Sequence, residues 1–135
     1  MALLEWTANY SVNIKEMDEQ HKKLFDMINE LHDAMKGGRG KEVLGGIFTG
    51  LIQYVGTHFA AEERLMSAHA YAGYIAQKAE HDKLTKKALE LQKNFQEDAP
   101  VVTMEVMNFL KDWLQTHILG SDKKYGPFLN SKGIV

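Results

Sequence analysis

The chain has 135 residues, 44% of them hydrophobic and 25% charged, with a formal net charge of -2 and no cysteine. That is enough chain for one domain with a real core, and the charge balance offers no basic stripe for nucleic acid. The missing thiols exclude disulfides, thiolate zinc sites, iron–sulfur clusters and haem attachment through CxxCH, so any metal must be held by nitrogen and oxygen.

Residues 1 to about 17 read as an arm, with Trp6 and Tyr10 as anchors. Its apolar run Met1–Leu4 is too short for a signal-peptide core, and no run in the chain reaches membrane-spanning length. A soluble cytoplasmic protein without membrane insertion is expected. Asp18 predicts the cap of a first helix over about 18–36, stopped by Gly37–Gly38. Its apolar stripe carries His21, Leu24, Phe25, Ile28, Leu31, His32 and Met35 at three-four spacing. A second helix is expected over about 41–66. Its stripe runs from Leu44 through Phe48, Leu51 and Val55 to His58, Glu62 and Met66. Gly45, Gly46, Gly50 and Gly56 each cost it up to ~1 kcal/mol relative to Ala, and suit either a close helix approach or a bend. Ser67–Gly73 reads as a connection.

A third helix over about 73–96 aligns Tyr74, Gln77, His81, Leu84, Ala88, Leu91 and Phe95. Pro100 breaks the chain. A fourth helix over about 102–119 aligns Val102, Val106, Phe109, Leu110, Trp113, Leu114, His117 and Ile118, with Gly120 ending it and Gly126–Pro127 closing the tail. The fold class expected is all-α: an antiparallel up-down four-helix bundle with an N-terminal arm, residues 1–135 forming one domain.

Antiparallel topology places the start of helices one and three at the same end as the finish of helices two and four. His21, His58, Glu62, Gln77, His81 and His117 therefore share one layer, with Asp122 just beyond. His58 and Glu62 lie one turn apart, as do Gln77 and His81. His117 and Asp122 are five apart, too far round for a regular helix, so a chain break at Gly120 is expected to swing the carboxylate inward. Charges and imidazoles on an apolar stripe need partners. Any one of these histidines alone reads as a satisfied core residue; four of them with two carboxylates in one layer read as a metal site. Four imidazoles and two carboxylates exceed one closed zinc site. Two metals bridged by Glu62 and Asp122 fit the count, and thiolate-free, imidazole-rich ligation suits iron. The ferritin-like alternative needs Glu-x-x-His, but the positions three before each histidine hold Asp18, Asn29, Val55, Met66, Lys78 and Leu114. His32, about three turns or ~16 Å from His21, reads as structural, and His69 as a surface residue.

The motifs Asp18-Glu-Gln-His21, His58-Phe-Ala-Ala-Glu62, Gln77-Lys-Ala-Glu-His81 and Trp113-Leu-Gln-Thr-His117-Ile-Leu-Gly-Ser-Asp122, in that order, resemble the hemerythrin family in its single-domain bacterial branch. With Trp6 and the Tyr125-Gly-Pro ending, the resemblance spans nearly the whole chain. It implies two iron ions with a bridging oxo or hydroxo group and reversible binding of O2 as peroxide at one iron. His21 and His58 would serve the iron that takes O2, His81 and His117 the other, and Glu62 and Asp122 would bridge. Leu24, Phe59, Trp113, Leu114 and Ile118 would wall an apolar O2 pocket. The implied role is oxygen carriage, storage or delivery by a monomer that is not an enzyme, with a client oxygenase or electron donor as partner. The alternatives are a di-iron oxidase or peroxidase-like enzyme and an O2 or redox sensor. The departure is Gln77, where the family has a third histidine on the second iron. Its amide oxygen ligates, a water replaces the imidazole, the second iron binds weakly, or Gln77 is simply hydrogen-bonded in the bundle mouth.

Overall fold

The computed structural model describes residues 3–38, 41–96 and 104–135. Four long helices form the expected antiparallel bundle: α1 (Lys15–Lys36), α2 (Lys41–Ala68), α3 (Tyr74–Gln96) and α4 (Met104–His117), followed by a π-helical turn (Ile118–Asp122) and a short α5 (Lys123–Ser131). α1 packs on α2 and α4, and α2 on α3. The expected Pro100 break and Val102 helix start lie outside the described residues, as do the side chains of Phe95 and Val106.

α1 begins at Lys15, three residues before the expected Asp18. Asp18 still organises this end, but from inside the helix. Its carboxylate reaches back to accept the Val12 N–H at 2.8 Å and the Ser11 hydroxyl at 2.6 Å, tying down the turn that enters the helix. Glu16 and Asp18 in the first turn also oppose the helix dipole. α2 runs two residues past its expected end and closes in a Schellman motif. Tyr71 donates its N–H to the Met66 carbonyl and Ala70 to that of Ser67, with Ala70 left-handed at φ 55°. A Cβ built on Gly46, Gly50 or Gly56 meets nothing within 4 Å, so these glycines serve no close helix approach.

The fourth helix does not break at Gly120. The backbone widens into the π turn and continues into α5, which contains Pro127. A π turn closes on the fifth residue rather than the fourth, so His117 and Asp122 come to the same side of one continuous helical path. The tail is thus a helix, and it forms a second core with the arm. Val12, Ile14, Met17, Met66, Tyr125 and Leu129 pack there. The main core, including Leu24, Phe25, Phe48, Leu51, Met107, Leu114 and Ile118, lies on the other side. Along α1 the order is Met17, His21, Leu24; along the last helical path it is Leu114, His117, Asp122, Tyr125. The polar layer is therefore enclosed between two apolar clusters rather than set in an open bundle mouth.

The arm is anchored by specific contacts. Asn29 accepts the Leu4 N–H at 2.9 Å and donates to the Leu4 carbonyl at 2.8 Å. Trp6 and Tyr10 both pack edge-on against Phe25. Gly126 is required by close approach, because a Cβ there would lie 2.5 Å from the Val12 carbonyl oxygen.

Candidate metal centre

The start of α1 supplies His21, and the last turns of α2 supply His58 and Glu62. The start of α3 supplies Gln77 and His81; α4 ends on His117, and the π turn ends on Asp122. All seven are at most 3% exposed. His21 Nε2 lies 3.1 Å from Asp122 Oδ2 and 3.4 Å from Glu62 Oε2. His58 and His81 place Nε2 at 3.2 and 3.3 Å from Glu62 Oε1, and His117 Nε2 sits 3.1 Å from Asp122 Oδ1. Two groups of ligand atoms result: His21, His58, Glu62 and Asp122, and Glu62, His81, His117 and Asp122, with the two carboxylates common to both.

The contacts are close without being satisfied. His21 Nε2, Glu62 Oε1, Asp122 Oδ2 and Gln77 Oε1 are buried and have no hydrogen-bond partner. Such groups cost about 1–3 kcal/mol each when left bare, more when charged. His81 and His117 donate Nδ1–H to carboxylates, Glu63 at 2.9 Å and Glu80 at 3.2 Å. Their neutral forms therefore present two bare Nε2 lone pairs, and these face each other at 3.1 Å. Only a proton or a metal ion satisfies that arrangement. The donor set fits divalent metal on chemical grounds: imidazole and carboxylate ligands, carboxylates shared, remote nitrogens held by hydrogen bonds.

The Hemerythrin HHE cation binding domain model matches residues 12–129. The chain belongs to the hemerythrin family. It is 43% identical to a bacteriohemerythrin of Methylococcus capsulatus over 97% of this chain and all of that one. It is 32% identical to a bacteriohemerythrin of Stenotrophomonas maltophilia over 93% and 80%. A solved wild-type hemerythrin superposes with a TM-score of 0.91 at 43% identity, covering 95% of this chain and 98% of that one. A single-residue variant of a hemerythrin matches at 0.92.

Within this hemerythrin fold, Gln77 is fully enclosed in the layer and not at a mouth. Its amide donates to Asp122 Oδ1 at 3.1 Å while its own oxygen has no partner. His69 is half-buried on the connection, away from both donor groups, and His32 is buried three turns along α1. An apolar cavity of about 30 Å³ abuts the layer. Leu24, Phe59, Trp113 and Leu114 line it with Ile28, Leu51, Val55, Leu84 and Leu110; Ile118 is fully buried in the same core but does not line it. Phe59 stacks flat on His81 at 3.8 Å, and Trp113 on His117 at 4.4 Å.

Four residues of the site escaped sequence reasoning. Tyr125, 1% exposed, donates its hydroxyl to Glu62 Oε2 at 2.5 Å. Gln20 accepts His58 Nδ1–H at 2.6 Å, and Glu63 and Glu80 serve His81 and His117. Gln20, Glu63 and Glu80 each adjoin a site residue in sequence, and Tyr125 lies three past Asp122, but they stand outside the ligand spacing that drew attention to the others.

Without metal, the layer is held by shared charge. Burial alone would lower the His21 pKa, but the Asp122 and Glu62 carboxylates beside it push it up to about 10. His117 is raised in the same way, burial again being outweighed, chiefly by Asp122. Burial works against the charged form of Glu62, yet the surrounding histidines, His58 first, hold it well below the usual carboxylate range. Asp122 is lowered too, with His117 and His21 overcoming burial and the like charge of Glu62. Burial, reinforced by those two carboxylates, drives the Tyr125 phenol well above its ordinary value.

Proposed function

We propose that the chain binds O2 reversibly at a di-iron centre. In this reading His21 and His58 hold one iron, and His81 and His117, with the amide oxygen of Gln77, hold the other. Glu62 and Asp122 bridge. The observation that carries the reading is the pair of four-donor groups that share both carboxylates. Iron, when bound, supplies the electrons for reversible O2 binding. The chain's own residues position and protect. Imidazoles whose Nδ1 is engaged by Gln20, Glu63 and Glu80 keep Nε2 free for metal. The cavity next to the layer exceeds the ~10–15 Å³ a water-sized molecule needs. Its walls are apolar, so it admits O2 while giving water few partners.

Carriage, storage or delivery of O2, rather than catalysis, is the function we assign. It would take place in a monomer in the cytoplasm that hands O2 to a client oxygenase or takes electrons from a donor. Iron per chain, followed by the visible spectrum of the reduced protein before and after O2, tests this. Two irons and a charge-transfer band that disappears on O2 removal support it. Irreversible oxidation or turnover with peroxide would replace the carrier with an oxidase or peroxidase. Protein from iron-supplied cells that carries no metal would sink both.

A further inference from the structure

The two halves of the layer are backed differently. In the first, His58 leans on the neutral amide oxygen of Gln20, and His21 Nδ1 is buried without a partner. In the second, both imidazoles donate to carboxylates: His81 to Glu63 and His117 to Glu80. Each carboxylate is fixed by another group. Ser121 donates its hydroxyl to Glu80, 2.9 Å from either oxygen, and Lys78 lies 3.8 Å from the Glu63 oxygen that His81 does not use. An anionic acceptor behind an imidazole raises its basicity at the metal-facing nitrogen more than a neutral one does. The second half is also where Gln77 offers only a neutral amide oxygen, buried without a hydrogen-bond partner.

We propose that Glu63 and Glu80 are positioning residues that set the metal affinity of the His81–His117 position, supplying through two imidazoles the donor strength that Gln77 does not. This rests on the di-iron reading above. It makes the two positions inequivalent although each has two histidines and the same two carboxylates. The charge that distinguishes them sits outside the ligand set.

The test is stepwise Fe(II) titration of the metal-free protein under anaerobic conditions against a competing chelator. Glu63→Gln and Glu80→Gln keep an oxygen to accept the Nδ1–H but remove its charge. Each is expected to weaken one of the two binding steps by about 10–100-fold and leave the other in place. His58→Ala identifies the step belonging to the first position, which is the one that must not move. Gln20→Glu puts a carboxylate behind His58 and is expected to tighten that first step, a gain that a folding defect cannot mimic. Circular dichroism of the metal-free variants checks the bundle. The proposal is overturned if Glu63→Gln and Glu80→Gln leave both steps unchanged, or weaken the first step as much as the second. Failure of the parent protein to take up two irons per chain would instead overturn the di-iron reading itself.

Discussion

Tyr125→Phe isolates a single hydrogen bond in the most polar part of the core. The ring stays among Val12, Ile14, Met17, Met66 and Leu129, so packing is preserved. What is lost is the hydroxyl that reaches Glu62 Oε2 at 2.5 Å. His21 Nε2 lies 3.4 Å from that oxygen and makes no hydrogen bond to it. Glu62 is ionised and buried, so the lost bond is charge-assisted, worth about 1.5–3 kcal/mol. For a domain of this size that corresponds to a fall in melting temperature of roughly 5–12 °C. Chemical and thermal denaturation of the metal-free protein read it directly. Metal loading should shrink the difference, because cations take over the carboxylate's charge and leave the hydroxyl with a bond nearer a neutral one, about 0.5–1.5 kcal/mol. An unchanged midpoint without metal, or a larger loss with metal than without, would refute the reasoning.

Stability and metal uptake should follow pH through the same layer. His21, raised from 6.5 to about 10, contributes stability that is complete below pH 6.5 and lost as pH climbs through about 10, and His117 acts in the same direction. Glu62 and Asp122, held below 4.5 and 3.8, contribute stability present above those values and lost on acidification. Denaturation midpoints of the metal-free protein should therefore peak between about pH 4.5 and 6.5. At pH 7, metal binding must displace a proton from His21; calorimetry in two buffers of different ionisation enthalpy should register that release, and its absence would contradict the assignment. Gln77→His should tighten the second metal position and slow irreversible oxidation, read by chelator competition and by the decay of the oxygenated spectrum. Gly126→Ala drives a Cβ to 2.5 Å from the Val12 carbonyl and should cost about 1–3 kcal/mol, with faster proteolysis of the arm. Ala70→Gly relieves a left-handed alanine and should gain ~1 kcal/mol in a denaturant titration.

The convergence of the polar residues on one layer was legible because periodicity is a strong signal when it is violated. An imidazole or carboxylate on an apolar stripe stands out, and antiparallel topology then leaves one end for all of them. The path through Gly120 was not legible. A π turn uses no distinctive residue type, and the glycine there suggested a stop. Five-residue spacing between His117 and Asp122 was the available clue, since it equals the closure of a π turn. The start of α1 lies before Asp18 because that residue, though of a type that caps helices, sits inside the helix and acts backward on the arm. Tyr125 and the carboxylates behind His81 and His117 were hidden for another reason. Their partners lie on other elements, and an exposed-looking Glu carries no mark in sequence of the imidazole it serves.

The arm and α5 shut the layer from one side, and the main core shuts it from the other. With every donor almost wholly buried, affinity and lifetime become separate quantities. An ion held only moderately tightly at equilibrium would still leave slowly, because departure would wait on the Val12–Ile14 segment and α5 parting over the layer. Loading belongs with folding in the same way. A metal ion present while the chain assembles would meet an open layer; one offered afterwards would wait for the plug to come loose.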